Sequence, residues 1–349
     1  MPRQPTVTRS NQVPVTIISG FLGSGKTTLI NRLIRHPALS DAALIVNEFG
    51  EIGIDHALID SALENTVVMD SGCVCCTIRG DLMDTIDDLF AKADAGLLPR
   101  FSKILIEPTG LADPGPIVHA LDEMEAKGHP CRRNAVVTMI DAQQGLRQLA
   151  MHEEAAWQIA AADVVLVTKT DLVPENAVEV LTRRIVALSP GVAVRTVLHG
   201  AIEPDFLFRL ASESSETVPP AAMRDAHAAY DHHRAHADHT HGTIRSLAIT
   251  TNRAVNWRRL RTFLESVFSL RGEAFLRVKG IIWTDDGGPP LLLQGVGNTF
   301  SSPRPLARDP EDPGCSRLVL IFQHLDSAAL EQTFRAMVLD NGRVVDIEG

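Results

Sequence analysis

Short apolar runs alternate with helical patterns from residue 13 onward. Runs that are apolar at nearly every position are typical of strands buried on both faces of a parallel sheet. Seven such runs occur, namely VPVTIIS, ALIVN, TVVMD, KILIE, AVVTMID, VVLVTK and VAVRTV. Between the third and fourth, Ile78, Leu82, Ile86 and Leu89 recur at helical spacing. The alternation predicts an α/β domain over residues 13–215, with a mostly parallel sheet flanked by helices.

The pattern changes beyond this domain. Residues 216–243 are rich in alanine, aspartate and histidine, have no core-forming pattern, and are interpreted as a linker. Residues 244–349 hold the apolar runs IRSLAITT, FLRVKGIIW, PLLLQGVG and SRLVLIF, with helical segments at NWRRLRTFLESVFS and at about 326–339. The last three runs follow one another without an intervening helix, which predicts a smaller α+β domain with an antiparallel sheet.

Composition narrows the classes of function. The 349-residue chain has a formal net charge of −10, which argues against a nucleic-acid partner. No run approaches the ~18 apolar residues of a membrane helix, and the first residues, MPRQPTVTRSNQ, lack the apolar region of a secretory signal. We therefore expect a cytoplasmic protein that is not embedded in a membrane. Thiols stay reduced in that compartment, so clustered cysteines indicate metal or redox chemistry.

The stretch GFLGSGKTT fits the phosphate-binding loop pattern GxxxxGK[ST], directly after a predicted strand and before a predicted helix. Its backbone N–H groups would bind phosphate oxygens, Lys26 would reach the β- and γ-phosphates, and Thr27 would hold Mg²⁺. The alternative is a chance glycine-rich turn. The predicted nucleotide-binding residues of this loop are Gly20, Gly23, Ser24, Gly25, Lys26, Thr27 and Thr28.

The base is predicted from a second stretch, TKTD, at the end of the run VVLVT. It resembles the NKxD element of GTPases, in which the aspartate carboxylate accepts hydrogen bonds from N1–H and the exocyclic amine of guanine. Thr168, Lys169 and Asp171 are therefore predicted to bind the nucleotide, and Asp171 to select GTP. Thr168 stands where asparagine is usual and forfeits an amide. A strand-end turn without base contact is the alternative.

The stretch IEPTG resembles a Walker B strand followed by the glycine that meets the γ-phosphate. Glu107 is predicted to be catalytic together with Lys26, and to hold Mg²⁺ together with Thr27. Gly110 is predicted to contact the nucleotide. Asp141, also at a strand end, is a second candidate acid, although a turn-capping role explains it equally well.

Three cysteines fall within four residues, in the sequence SGCVCC. Cys73, Cys75 and Cys76 supply soft ligands that suit Zn²⁺, Cu⁺ or Co²⁺. Because a closed structural zinc site usually has four protein ligands, three of them leave an open position through which a carrier can pass metal on. A redox switch is the competing interpretation.

An acidic segment and a histidine-rich segment each contain candidate auxiliary metal ligands. The stretch NEFGEIGID, which includes Glu48, is consistent with a switch loop and equally with a solvated acidic loop. The linker histidines suit weak metal binding, and a solvated linker without a specific site explains them equally well. The histidines in question are His232, His233, His236, His239 and His241.

Taken in order, GFLGSGKTT, VNEFGEIGID, SGCVCCTIRGDL, IEPTGLADP and TKTD resemble the CobW-like GTPases, which are related to the nickel-insertion GTPases of hydrogenase and urease maturation. The resemblance extends to FLRVKGIIW, LLLQGVG and RLVLIF of the C-terminal domain. It implies a GTPase that handles Zn²⁺, or in some branches Co²⁺, and delivers it to client proteins.

The function predicted is a GTP-hydrolysing metallochaperone for zinc that binds GTP, Mg²⁺ and an unidentified metal-requiring client protein. Cobalt handling, for cobalamin synthesis or for a cobalt enzyme, is the alternative within the family. A small-molecule kinase would have no use for the cysteine motif, and a zinc-storage protein would have no use for TKTD.

Overall fold

A computed structural model describes most of the chain. The described residues are 12–46, 67–70, 78–204, 206–208, 244–297, 299–300, 302–308 and 314–339. They fall into two compact units, with the first seven strands in one and the remaining strands in the other. The predicted linker 216–243 lies outside the described residues, so the predicted domain boundaries stay predictions. Within the described ranges, no helix is long and apolar enough to cross a membrane.

The first unit is built on a seven-stranded sheet in which every neighbouring pair of strands is parallel. Its strands, in chain order, are β1 (Val13–Gly20), β2 (Ala42–Val46), β3 (Val67–Asp70), β4 (Lys103–Glu107), β5 (Cys131–Asp141), β6 (Val164–Thr168) and β7 (Ala193–Val197). Their order across the sheet is β3-β2-β4-β1-β5-β6-β7. All seven apolar runs form strands, which confirms the predicted fold class.

In the described part of this unit, six α-helices connect these strands. They are α1 (Lys26–Leu33), α2 (Ile78–Asp94), α3 (Gly115–Ala126), α4 (Gly145–Met151), α5 (Glu153–Ala161) and α6 (Glu175–Leu188). Short 3₁₀ turns occur at Pro37–Leu39 and Thr170–Leu172. Helix α2 buries Leu82, Ile86 and Leu89, as the helical spacing predicts.

The strand order places the unit's ligand crevice. Strand β1 lies between β4 and β5, so the chain leaves it toward β2 on one side and enters β5 on the other. Ligands of open parallel sheets bind beyond the carboxyl ends of the strands at such a switch point. The loops after β1, β4 and β6 therefore meet beyond the carboxyl ends of the strands. This side of the sheet is called the nucleotide edge.

The predicted burial of the strands on both faces holds for β6 in the middle of the sheet and is wrong for the outermost strand, β7. All five residues of β6 are buried, whereas β7 is buried only at Val197. Strand β7 is the last of the sheet, and no other described strand pairs with its outer side. An edge position leaves side chains accessible that a central strand would bury.

The second unit, as far as its residues are described, is an antiparallel sheet with two helices. Its strands are β8 (Ile244–Thr251), β9 (Phe275–Ile282), β10 (Leu291–Val296), β11 (Thr299–Phe300), β12 (Arg304–Pro305) and β13 (Ser316–Gln323). Its helices are α7 (Trp257–Arg271) and α8 (Ser327–Phe334), the latter followed by one π-helical turn over Arg335–Leu339. The core joins Phe263 and Phe334 of the helical segments to Phe275 and Phe322 of the sheet.

Candidate functional site

The loop between β1 and α1 has a backbone that only glycine adopts readily. Gly20, Gly23 and Gly25 have φ of 142°, 76° and 97°. A Cβ on Gly20 would lie 2.4 Å from the carbonyl oxygen of Met139 in β5, so a side chain there is excluded by the neighbouring strand. The loop therefore needs these glycines to pass beside β5 and enter α1.

Lys26 begins α1, and its side chain turns back into the loop. It is 8% exposed, and Nζ donates to the carbonyl oxygens of Gly20 at 2.9 Å and Phe21 at 3.5 Å. The N-terminus of a helix carries a partial positive charge, which adds to the charge of the ammonium group. The loop thus concentrates donors and positive charge in the arrangement that binds phosphate groups.

Glu107 ends β4 beside this loop. Its side chain is buried, and Thr27 Oγ1 lies 3.4 Å from Glu107 Oε1. Parallel pairing of β1 with β4 brings the two carboxyl ends to the same edge, which is why residues 80 positions apart meet. Hydroxyl and carboxylate oxygens are the ligand type that Mg²⁺ takes, so this pair fits a magnesium site.

A tight turn after β4 lies against the loop. Ala112 N–H donates to Thr109 O at 3.0 Å, which closes the turn around Gly110. A Cβ on Gly110 would lie 2.6 Å from Leu22 Cδ2 and 2.9 Å from Leu22 N. The turn and the phosphate-loop residue Leu22 are thus so close that position 110 has no room for a side chain.

Thr168 ties the end of β6 to the loop. Its Oγ1 is placed to donate to Ser24 O at 2.8 Å and lies 3.2 Å from Ile140 O. The hydroxyl thus makes a bond to the loop although it lacks the amide of the usual asparagine. A residue 144 positions away along the chain thus supports the loop from β6, which is separated from β1 by β5.

Lys169 makes a second connection. It has a left-handed backbone with φ of 55°. Its Nζ donates to Gly23 O at 2.8 Å and forms an ion pair with Asp141 Oδ2 at 2.7 Å. The other carboxylate oxygen of Asp141 accepts from Gln143 N–H at 2.7 Å. Asp141 therefore caps a turn, as one of the two sequence interpretations held, and it also anchors the lysine of TKTD.

Asp171 lies in the 3₁₀ turn Thr170–Leu172 that directly follows this anchored lysine. It is exposed, in contrast to Thr168 and Asp141, which are buried. A carboxylate accessible to solvent beside an anchored backbone is free to accept hydrogen bonds from a ligand.

Sequence reasoning missed two features of this edge. Gln158 of α5 donates through Nε2 to Gly110 O at 3.1 Å and to Ala112 O at 3.0 Å. The turn after β7 contacts the first turns of α1, since a Cβ on Gly200 would lie 3.2 Å from Leu29 Cα, and Arg32 Nη1 is 3.4 Å from His199 O. The only local signal for this turn is the glycine that follows the last strand of the sheet.

Comparison with known families identifies both units. A model of the CobW/HypB/UreG nucleotide-binding domain matches residues 14–195, which is more than half of the chain. The chain belongs to the CobW/HypB/UreG family. A model of the cobalamin synthesis protein CobW C-terminal domain matches residues 244–338. The resemblance to CobW-like GTPases expected from the motifs is thereby confirmed.

Individual relatives within the CobW/HypB/UreG family agree with this assignment. The zinc chaperone YjiA of Escherichia coli is 30% identical over 84% of this chain and 88% of its own length. The zinc chaperone CobW of Pseudomonas aeruginosa is 28% identical over 93% of this chain and 91% of its own length. A zinc-bound crystal structure of the E. coli YjiA GTPase superposes with a TM-score of 0.72 at 27% identity, over 94% of this chain and 99% of that chain.

The predicted metal ligands lie outside the described residues. This applies to the cysteine motif Cys73, Cys75 and Cys76, to Glu48, and to the linker histidines His232, His233, His236, His239 and His241. Among the residues that are described, no group of three or more His, Cys, Asp or Glu side chains is placed to hold a metal ion. The metal-binding roles therefore stay predictions.

Cys131 is a buried cysteine outside the motif. Cys131 begins β5, at the end of the strand opposite the nucleotide edge, and its Sγ lies 3.0 Å from His129 Nδ1. His129 Nε2 in turn lies 2.9 Å from Asp87 Oδ1. Burial raises the pKa of Cys131 to about 12, so its thiol is protonated at neutral pH. A protonated thiol is a poor nucleophile and a poor metal ligand.

Proposed function

We propose that this chain is a GTP-hydrolysing metallochaperone that binds Zn²⁺ at Cys73, Cys75 and Cys76 and transfers it to a metal-requiring client protein. The observation that carries the GTP assignment is the connection of TKTD to the phosphate loop through Lys169 Nζ, which bonds Gly23 O and Asp141. This chain is similar to two proteins named zinc chaperones over most of their length, which supports zinc as the metal.

Phosphate binding and charge stabilisation come from the loop. Lys26 Nζ is held at the carbonyls of Gly20 and Phe21, from which it would turn to the β- and γ-phosphates of GTP. Thr27 and Glu107 would hold Mg²⁺, which, when bound, neutralises charge on the β- and γ-phosphates. Positioned donors of this kind are the main source of catalysis in phosphoryl transfer.

Base selection comes from Asp171. Its carboxylate would accept from N1–H and the exocyclic amine of guanine, a pattern that adenine does not offer. The two bonds made by Lys169 and the bond from Thr168 to Ser24 O hold the 3₁₀ turn that contains Asp171 at a fixed distance from the phosphate loop. A fixed distance lets the base and the phosphates bind without a further ordering cost.

The metal and the nucleotide should be coupled. The cysteines lie in sequence between NEFGEIGID and the EPTG turn that contacts the phosphate loop. A segment ordered by Mg²⁺·GTP would bind metal with part of its ordering cost already met, and linkage makes the effect reciprocal. Coupling of about 1–3 kcal/mol, or roughly 5–150-fold in affinity, is typical of such systems.

Competition titration against a chromophoric chelator tests this proposal. Zn²⁺ affinity is measured with a non-hydrolysable Mg²⁺·GTP analogue, with GDP and without nucleotide, and the same series is repeated with Co²⁺. We expect the tightest Zn²⁺ binding with the analogue, loss of the site in Cys75→Ala, and no change in Cys315→Ala, whose buried thiol lies outside the motif. Equal affinity in all three nucleotide states, or an intact site in Cys75→Ala, would refute the metallochaperone function.

A further inference from the structure

Gln158 is a buried amide whose interactions are directed at the nucleotide edge. It lies on α5, is 1% exposed, and uses Nε2 for two hydrogen bonds, to Gly110 O and Ala112 O. Its Oε1 is also buried and, among the residues that the structure describes, has no hydrogen-bond partner. An unpartnered buried carbonyl oxygen lowers the stability of the fold. The two bonds made by Nε2 therefore form in a side chain whose other polar atom is destabilising.

Both acceptors belong to one turn. Thr109 O accepts from Ala112 N–H at 3.0 Å, so Gly110 lies inside a closed four-residue turn. Nε2 lies 3.1 Å from the carbonyl oxygen within the turn and 3.0 Å from the one at its end. Rotation of either peptide plane would break a hydrogen bond to a buried donor, so the amide restrains the orientation of the whole turn.

The turn is held from two sides. On one side, a Cβ on Gly110 would come within 2.9 Å of Leu22 N in the phosphate loop. On the other side, Gln158 belongs to a helix that is tied to the middle of the sheet, because Thr138 Oγ1 of β5 donates to Gln158 O at 2.8 Å. Gln158 thus links the position of Gly110 to β5, the strand next to β1.

We infer that Gln158 is a positioning residue that gives the protein its preference for a nucleoside triphosphate over a diphosphate. This inference rests on the proposed function, in which Gly110 meets the γ-phosphate. Gln158 touches no nucleotide. It holds the turn before the nucleotide binds, so the γ-phosphate does not have to supply the ordering of the turn. A diphosphate has no group that reaches the turn and gains nothing from Gln158.

Gln158→Met tests the inference, because methionine has a similar volume and no donor. The dissociation constants of GDP and of a non-hydrolysable GTP analogue are measured with Mg²⁺, together with kcat and KM for GTP. We expect the analogue to bind about tenfold more weakly, which corresponds to ~1.4 kcal/mol. GDP should bind within about twofold of wild type, because the turn is not part of its site.

Asn134 provides a matched control in the same unit. It is 5% exposed, its Nδ2 donates to Thr16 Oγ1 and Leu207 O, both at 2.9 Å, and its Oδ1 also lacks a partner within the described residues. It lies near the start of β5, away from the phosphate loop. Asn134→Leu should lower stability to a similar extent as Gln158→Met and leave the ratio of GDP to analogue affinity unchanged.

Gln158→Glu provides a second test of the role of Gln158 if Gln158→Met folds poorly. An ionised carboxylate cannot donate to two carbonyl oxygens, whereas a protonated one can donate once. The preference for the analogue should therefore be lost at pH 8 and partly regained at pH 6, relative to wild type. A wild-type ratio in either variant would overturn the inference alone. A wild-type protein that binds no guanine nucleotide would overturn the proposed function and the inference together.

Discussion

The ion pair between Lys169 and Asp141 should be one of the strongest polar contacts of the nucleotide edge. The Nζ to Oδ2 distance is 2.7 Å, and the two side chains are 37% and 5% exposed. The perturbation is a double-mutant cycle made of Lys169→Met, Asp141→Asn and the double variant. The bond from Lys169 to Gly23 O is lost in both backgrounds, so it cancels in the coupling energy.

The expected magnitude follows from the geometry. At a separation of 2.7 Å, an effective dielectric constant of about 20 gives a gross attraction of about 6 kcal/mol. Burial of the carboxylate offsets several kcal/mol of this, and hydrogen bonds to charged groups leave about 1.5–3 kcal/mol in measured series. We therefore expect a coupling energy of about 2 kcal/mol, or roughly thirtyfold in the unfolding equilibrium.

The two single variants should differ. Lys169→Met leaves a buried carboxylate without its cation and should cost about 3 kcal/mol, because an unpaired buried charge is strongly destabilising. Asp141→Asn leaves a partly exposed ammonium group that water can solvate, so about 1–2 kcal/mol is expected. The larger effect should thus come from removing the more exposed partner of the pair.

Urea unfolding without nucleotide measures these values, because a bound ligand would add its own stabilisation. The chain has three tryptophans, of which Trp157 lies on α5 in the first unit. Replacing Trp257 and Trp283 by phenylalanine makes the fluorescence report on that unit alone. A single reporter follows the unfolding of the first unit without a contribution from tryptophans of the second.

A second pair in the same unit serves as the control. Lys92 Nζ and Asp88 Oδ2 are also 2.7 Å apart, but the side chains are 42% and 45% exposed. An exposed pair of this spacing on a helix contributes about 0.3–0.5 kcal/mol. Equal coupling energies in the two cycles, or less than about 0.5 kcal/mol for Lys169 and Asp141, would refute the argument from burial.

Two further predictions concern single residues. Asp171→Asn should shift binding from GTP toward xanthosine triphosphate, because the carboxylate that accepts from the guanine amine becomes an amide; competition binding measures the shift, and equal wild-type affinity for ATP and GTP would contradict the base assignment. Cys131 should resist iodoacetamide in the native protein at pH 8, because burial raises its pKa to about 12; peptide mass mapping measures the modification, and labelling of Cys131 without unfolding would contradict its protonated state.

The sequence by itself determined the elements of the first unit and the phosphate loop. Seven apolar runs formed seven strands, and in the middle of the sheet the reason is that a strand buried on both faces needs apolar residues at consecutive positions. The loop was identified because glycines, lysine and threonine act within nine consecutive residues, so their spacing is visible in the chain. The family resemblance rested on motifs of the same local kind.

Only the tertiary structure decided which distant residues support that loop. The partner of Thr168 is Ser24, 144 positions away, and the partner of Gly110 O is Gln158, 48 positions away. A polar residue on a short helix has the same local pattern whether it faces solvent or a buried turn, so the sequence did not distinguish Gln158 from a surface residue. The order of the strands decided which distant residues meet, because parallel pairing brings together chain segments that share no local pattern.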